Sequence, residues 1–224
     1  MSTVLITGAA RGLGLEFTKQ YATKGWKIHA CARNLDGLAG IEGNIHPHEL
    51  EVTDYTAVTA LAGKLSSEAI DVLICNAGIG GERGNTSLGA IDPVAWRHVF
   101  EVNALAPLMM AQAFVEHVAR SSERKLIAVS SILGSIASNT GGRYIYRSSK
   151  TALNMEWNCL ARDLAPRGII CVALHPGWVQ TDMGGSTATL TIDQSVPPMV
   201  QTIAALTPSD NGRFIQYDGK ELAW

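Results

Sequence analysis

The chain has 224 residues, of which 46% are hydrophobic and 17% are charged, and its formal net charge is −2. This length and composition fit a globular α/β protein with one full core, so we expect a single domain over residues 1–224. The small net charge gives no electrostatic basis for binding nucleic acid, and no apolar run is long enough to span a bilayer. We also expect no secretion signal, because "MSTVLITGAARG" reaches a glycine cluster at once, and hence a cytoplasmic protein.

Short β-rich apolar runs alternate with longer helical patterns along the chain. Strands are predicted at 3–8, 26–32, 45–52, 70–78, 125–131, 169–177 and 212–217. Helices are predicted at 13–25, 55–69, 93–119, 144–165 and 196–206. Continuous apolar strands that alternate with helices predict an α/β fold with a doubly wound, mostly parallel sheet of about seven strands, a Rossmann fold.

The cysteine and histidine positions favour structural over metal-binding roles. All four cysteines lie in apolar stretches without a C-x-x-C pair, which predicts buried free thiols in a reducing compartment. These residues are Cys31, Cys75, Cys159 and Cys171. His46 and His48 have no third ligand at a helical spacing, so no metal site is predicted.

A glycine-rich segment, "TGAARGLG", follows the first predicted strand and opens the first predicted helix. Gly8, Gly12 and Gly14 have the spacing G-x-x-x-G-x-G. Glycine permits a tight turn and a close backbone approach to a pyrophosphate, and the helix start offers unpaired N–H groups. Because ligands of such sheets bind beyond the carboxyl ends of the strands, this context predicts a nucleotide site rather than a simple turn.

Two arginines lie near the expected position of the adenosine ribose. The second strand ends in "ACARN", where Arg33 and Asn34 replace the carboxylate that often holds ribose hydroxyls, and Arg11 lies within the glycine loop. Two guanidinium groups there suit a 2′-phosphate. The alternative is that both are ordinary solvated surface arginines.

The segment "YIYRSSK", residues 144–150, contains a candidate acid–base pair. Residues four apart share one helix face, so Tyr146 and Lys150 are neighbours. An adjacent ammonium favours the phenolate and should lower the pKa of Tyr146 towards the range useful for proton transfer. Tyr144, whose partner at this spacing is Ser148, is predicted to line the pocket wall.

Two further residues complete the predicted site. Ser131 ends the fifth strand, where it could hold a substrate oxygen. Pro107 has no N–H to give to the carbonyl of Asn103, so that carbonyl should be free for a water relay through Lys150 to Tyr146. Taken singly, these features are also consistent with a capping serine, a kinked helix and a buried tyrosine.

The motifs "TGAARGLG", "NAG", "VN", "VSS", "YRSSK" and "HPGWVQTDM" occur in this order over nearly the whole chain. In this respect the sequence resembles the short-chain dehydrogenase/reductase family, and in "GRFIQYDGKELAW" its C-factor-like and sniffer-like carbonyl reductases. The resemblance implies that Tyr146 is the acid/base, that Lys150 also binds the nicotinamide ribose, that Ser131 positions the carbonyl and that Asn103 supports the relay. The cofactor-binding residues that it implies are Gly8, Arg11, Gly12, Leu13, Gly14, Arg33, Asn34, Glu51, Val52, Asn76, Ala77, Gly78, Tyr146, Lys150, Pro176, Gly177, Val179 and Thr181.

The sequence departs from the family pattern in two places. Ser131 lies fifteen residues before Tyr146, slightly more than is common, so the "NTGGR" loop must absorb the extra length. Glu51 stands where many members have aspartate after the third strand.

The expected function is an NADP(H)-dependent oxidoreductase that interconverts ketones or aldehydes and alcohols on hydrophobic small molecules. A substrate pocket is predicted from Ile132, Leu133, Tyr144, Trp178 and Met183. One alternative is a nucleotide-binding signalling or sensor protein on the same fold. Another is an NAD-dependent alcohol dehydrogenase, against which the missing carboxylate near Arg33 argues. By the same resemblance we expect a homodimer or homotetramer.

Overall fold

The computed structural model describes residues 1–81 and 88–224. Within them, seven strands pair in parallel, in the order β3-β2-β1-β4-β5-β6-β7. The strands are β1 (Thr3–Thr7), β2 (Lys27–Ala32), β3 (Asn44–Glu49), β4 (Val72–Cys75), β5 (Lys125–Val129), β6 (Ile170–His175) and β7 (Phe214–Gln216). This arrangement confirms the predicted doubly wound parallel sheet.

Helices cover both faces of the sheet. They are α1 (Gly12–Thr23), α2 (Tyr55–Lys64), α3 (Pro93–Phe100), α4 (Ala106–Ala119), α5 (Tyr144–Leu164) and α6 (Ile192–Ala205). Successive strand residues point to opposite faces, so Val4 and Ile6 pack into the core beneath α1 and α6, whereas Leu5 packs beneath α2, α4 and α5. None of the helices in the described ranges is long and apolar enough to cross a bilayer.

Chain order reverses between β1 and β4, which positions the site. The chain leaves β1 to build β2 and β3 on one side, and returns to β4 to build the other half of the sheet. The loops that follow β1 and β4 therefore diverge and leave a crevice at the carboxyl ends of these strands.

The predicted helix over 93–119 is interrupted. A π turn at Glu101–Leu105 separates α3 from α4, and Pro107 lies in the first turn of α4. Proline cannot donate to the carbonyl four residues earlier, and a widened turn accommodates that loss without ending the helical path.

Most other helix ends lie within two residues of the predictions, but one end of α2 and one of α6 differ more. The helix predicted over 55–69 ends at Lys64. The helix predicted over 196–206 begins at Ile192, because Thr191 and Gln194 form a capping box that satisfies the first N–H groups there.

The expectation of apolar strands is wrong for β3. It is an edge strand with mainly exposed side chains, which only β2 pairs. Nε2 of His48 on β3 lies 2.9 Å from Nδ1 of the buried His29 on β2, so the two rings form a hydrogen-bonded pair.

The expectation that all four cysteines are buried is also wrong. Cys31, Cys75 and Cys171 are buried free thiols, but Cys159 is exposed. The buried residues of α5 fall on the stripe that contains Leu153 and Trp157, and Cys159 lies outside it.

Candidate active site

A cleft of about 1060 Å³ opens at the carboxyl ends of the strands on both sides of the crevice. The glycine loop and the residues after β2 line one part of it, and Tyr146 and Lys150 of α5 line another. The segment after β6, which includes Pro176 and Thr181, contributes to the same lining. The cleft thus joins the predicted phosphate site to the predicted acid–base pair.

The glycine loop adopts a conformation that requires glycine. Gly8 and Gly12 have φ angles of +66° and +52°, in the left-handed region that side chains rarely adopt. A β-carbon on Gly14 would lie 2.0 Å from the carbonyl oxygen of Gly8, so α1 approaches the turn closely only because residue 14 has no side chain. Arg11 precedes α1 without a side-chain cap, which leaves its first N–H groups available to an anion.

Asn76 and Thr7 fix the distance between the two sides of the crevice. The Thr7 hydroxyl accepts hydrogen bonds from the backbone N–H groups of Asn76 and Ala77, at 3.0 and 3.1 Å. The Asn76 side chain donates to the carbonyl oxygens of Thr7 and Gly8, at 2.9 and 3.3 Å. Asn76 therefore holds the loop after β4 against the glycine loop.

Both arginines of the predicted phosphate clamp are paired with carboxylates. Nη1 of Arg33 lies 3.4 Å from Oε2 of Glu51, and Nη1 of Arg11 lies 3.1 Å from Oδ2 of Asp182. All four residues line the cleft. Asp182 was not predicted, although it directly follows the predicted Thr181.

Asn103 connects the loop after β4 to α5. Its side chain is fully buried; Oδ1 accepts from the N–H of Ile79 at 2.8 Å, while Nδ2 donates to the carbonyl oxygen of Ile79 at 2.8 Å and to Oγ of Ser149 at 3.1 Å. The π turn therefore presents Asn103 to the site through its side chain. The water relay from its carbonyl group stays a prediction.

Gly78 separates Asn103 from Lys150. A β-carbon on Gly78 would lie 3.3 Å from Oδ1 of Asn103 and 3.6 Å from Nζ of Lys150. Gly78 and Lys150 line the cleft, whereas the fully buried Asn103 lies outside its lining, on the other side of Gly78.

Lys150 is buried beside Tyr146, as the helical spacing predicts. Its Nζ donates to the carbonyl oxygen of Val129 at 2.9 Å and lies 6.0 Å from the centre of the Tyr146 ring. Burial lowers the pKa of Lys150 to about 8. A proton on Nζ is therefore released more readily than from a solvated lysine.

The predicted lowering of the Tyr146 pKa is wrong for this structure. Burial raises the pKa of Tyr146 above its ordinary value, and the Ser131 hydroxyl and the positive charge of Arg143 oppose that rise. Lys150 directs its ammonium to the Val129 carbonyl, and the cost of burying a phenolate outweighs the favourable interactions.

The loop before α5 places Arg143 over the Tyr146 ring. Gly141, Gly142 and Arg143 have φ angles of +82°, +67° and +47°, three successive left-handed residues. The Cζ atom of Arg143 lies 5.1 Å from the ring centre. This turn lies in the "NTGGR" segment between Ser131 and Tyr146, and Arg143 was not predicted to belong to the site.

Most of the predicted cofactor residues line the cleft. They are Gly8, Arg11, Gly12, Leu13, Arg33, Asn34, Glu51, Val52, Asn76, Ala77, Gly78, Tyr146, Lys150, Pro176 and Thr181. Gly14, Gly177 and Val179 lie outside the lining. A β-carbon on Gly177 would lie 2.4 Å from Cδ1 of Leu190, so this glycine permits close packing.

The predicted substrate residues are distributed differently. Met183 lines the cleft, whereas Ile132, Leu133, Tyr144 and Trp178 lie outside its lining. The exposed Trp178 donates from Nε1 to the carbonyl oxygen of Gly184 at 2.9 Å. Lining residues that were not predicted include His98, Ser130, Gln180 and Ile192. Ser130 and Gln180 lie within the motifs "VSS" and "HPGWVQTDM", whereas no motif marks His98 and Ile192, which reach the cleft through the packing of α3 and α6.

The order of these elements around one cleft can be compared with known proteins. A family model described as short chain dehydrogenase matches residues 2–190. The chain belongs to this family. A relative named C-signal, from Myxococcus xanthus, is 43% identical over 166 residues, which cover 74% of this chain and 99% of the relative. A 1-hydroxy-2-glutathionyl-2-methyl-3-butene dehydrogenase from a Rhodococcus species is 33% identical over 232 residues, covering the whole of both chains.

Solved structures of carbonyl reductases match the whole fold. The carbonyl reductase Sniffer of D. melanogaster has a TM-score of 0.90 and 37% identity, with complete coverage of both chains. The NADPH-bound carbonyl reductase from chicken fatty liver has a TM-score of 0.90 and 33% identity, covering 100% of this chain and 99% of that one. The predicted similarity to the C-factor and sniffer type is confirmed.

Proposed function

We propose that this chain is an NADP(H)-dependent oxidoreductase that interconverts ketone or aldehyde groups and alcohols on hydrophobic small molecules. The observation that carries the proposal is that the glycine loop, Arg11 and Arg33 line the same cleft as Tyr146 and Lys150. A carbonyl reductase from Pseudomonas aeruginosa described in complex with NADP, 30% identical to this chain with a TM-score of 0.83, supports the same choice of cofactor.

The residues of the cleft fit a dinucleotide. The left-handed turn at Gly8 and Gly12 and the uncapped start of α1 would hold the pyrophosphate. Arg11 and Arg33 would bind a 2′-phosphate, and Lys150 the nicotinamide ribose. When bound, the nicotinamide supplies or accepts the hydride.

Tyr146 would exchange the proton with the substrate oxygen. Because burial raises its pKa, the phenol keeps its proton at neutral pH, which suits a general acid in carbonyl reduction. Ser131, buried at the start of the turn after β5, would hold the same oxygen. Lys150 would return a proton towards Tyr146 from its Nζ atom, where burial favours release.

The proposed hydrophobic substrate would lie near Met183 and Tyr146. Met183 lies beside Gly80, where a β-carbon would approach its Cγ to 3.2 Å, so an apolar side chain borders the loop after β4. Its side chain is partly exposed, which leaves room for a bulky molecule.

A turnover screen tests this function. Ketones, aldehydes and quinones are offered with NADPH and with NADH, and oxidation of the reduced cofactor is followed. We expect turnover with NADPH that falls by orders of magnitude in Tyr146→Phe and much less in Tyr144→Phe. Equal activity of the two variants, or no turnover of any carbonyl compound, would contradict the proposal.

A signalling role is a second candidate, because the relative from Myxococcus xanthus is named C-signal. Tyr146→Phe separates the two functions: it should abolish catalysis while keeping nucleotide binding, and a purely sensing protein would retain its output. We further propose a homodimer or homotetramer, which light scattering after size-exclusion chromatography would show.

A further inference from the structure

The adenosine end of the cleft contains carboxylates as well as arginines. Glu51, from the segment after β3, forms an ion pair with Arg33 at 3.4 Å, and Asp36 also lines this part of the cleft. The Arg33 and Glu51 side chains are 68% and 40% exposed, so both can change partner on ligand binding.

Glu51 already engages Arg33 through Nη1, at the position where a 2′-phosphate would bind. A guanidinium binds phosphate and carboxylate in the same fork geometry. An incoming 2′-phosphate must therefore share Arg33 with Glu51 or displace it, and any remaining carboxylate repels the phosphate. A ribose with a free 2′-hydroxyl carries no charge there, so it neither competes with Glu51 for Arg33 nor is repelled by the carboxylate.

We propose that Glu51 is a specificity-determining residue that limits the preference of this chain for a 2′-phosphorylated cofactor. Glu51 acts by competing for Arg33, and the choice between the two cofactors is set by the pair and not by the arginine alone. The inference rests on the proposed function, because it concerns the same cofactor site.

Both carboxylate oxygens of Glu51 have defined partners, unlike those of a freely solvated glutamate. Oε1 of Glu51 accepts from the backbone N–H of Thr53 at 3.3 Å, while Oε2 faces Arg33. The carboxylate is thus oriented by its own backbone, and Arg33 is drawn towards the strand end of β3. Glu49, the last residue of β3, is exposed and lies outside the lining of the cleft, so it provides a matched control.

The test measures binding without catalysis. Adenosine 2′,5′-bisphosphate and adenosine 5′-monophosphate are titrated calorimetrically into the unmodified protein, Glu51→Gln, Arg33→Ala and Glu49→Gln. We expect Glu51→Gln to bind the bisphosphate roughly three- to ten-fold more tightly, as removal of one charge several ångströms away predicts. Binding of the monophosphate should change by less than about two-fold, and the gain should shrink as salt rises.

The remaining variants fix the interpretation. Arg33→Ala should weaken bisphosphate binding by about ten-fold or more, since a charge-assisted contact is lost, and Glu49→Gln should change neither titration. Unchanged or weaker bisphosphate binding in Glu51→Gln would overturn the inference, because Glu51 would then orient Arg33 for the phosphate or do nothing. Failure of the carbonyl screen with intact nucleotide binding would instead count against the proposed function alone.

Discussion

The Cζ atom of Arg143 lies 5.1 Å from the centre of the Tyr146 ring, directly before the helix that carries both Tyr146 and Lys150. A left-handed φ of +47° holds the arginine there, in a conformation that non-glycine residues seldom adopt. Its positive charge lowers the pKa of Tyr146 against the larger effect of burial. The sequence predicts that Lys150 lowers the pKa of Tyr146, but in the structure the cation with this effect is Arg143.

This relationship predicts a pH effect. In Arg143→Ala the positive charge is lost, so the pKa of Tyr146 rises further. Alcohol oxidation needs the phenolate, and the ascending limb of its kcat/KM profile should therefore move to higher pH. Arg162→Ala removes an exposed charge near the other end of α5 and should leave the profile in place. A limb that moves to lower pH, or stays fixed in Arg143→Ala, would contradict the assignment.

Lys150 should reduce the stability of the folded protein at neutral pH. Burial lowers its pKa from 10.5 to about 8. Below pH 8 the folded protein therefore holds a buried ammonium group, which in the unfolded chain is solvated by water. Lys150→Met should raise the free energy of unfolding at pH 7 by about 2 kcal/mol, after allowing for the unpartnered Val129 carbonyl.

The gain from Lys150→Met depends on pH with a definite sign. The cost of the charge falls as the pH rises from about 8 to 10.5, where the unfolded lysine also loses its proton. Denaturant unfolding at several pH values should show the two proteins converging over this range. Lys64→Met, at an exposed position at the end of α2, is the control and should show no such convergence. A variant that is less stable at pH 7 would contradict the prediction.

Alanine substitutions at two helical glycines should change the free energy of unfolding in opposite directions. At Gly14 the new β-carbon would lie 2.0 Å from the Gly8 carbonyl oxygen, so Gly14→Ala should lower the free energy of unfolding by about 1–3 kcal/mol and weaken nucleotide binding. At Gly63, an exposed position of α2, no described atom lies within 4 Å, so Gly63→Ala should raise it by roughly 0.5–1 kcal/mol. Thermal unfolding of both variants checks this. If both melting temperatures rose, the close approach of Gly14 to the Gly8 carbonyl would not exclude a β-carbon.

Pro107→Ala tests the π turn and the relay together. Alanine restores an N–H that can bond the carbonyl of Asn103, which favours an ordinary α turn in place of Glu101–Leu105. That change would rotate Asn103 away from Ile79 and Ser149, so turnover should fall partially while the melting temperature rises or stays level. Unchanged kcat at every pH would leave Pro107 as a simple kink and the relay through the Asn103 carbonyl unsupported.

Local patterns in the sequence were sufficient to predict the fold and the closeness of Tyr146 and Lys150. The strand–glycine–helix order around Gly8 follows from backbone freedom, and the neighbourhood of Tyr146 and Lys150 follows from the helical repeat. Both depend on residues close together in the chain, so no tertiary information was needed.

Which charges meet in the cleft depends on tertiary packing. Arg33 pairs with Glu51 because β2 and β3 lie side by side, and Arg11 meets Asp182 because the segment after β6 returns over the glycine loop. Likewise, the pKa of Tyr146 depends on its depth of burial and on the turn that places Arg143, neither of which follows from spacing. The sequence determined which chemical groups are available, and packing determined their partners, their solvation and hence their protonation.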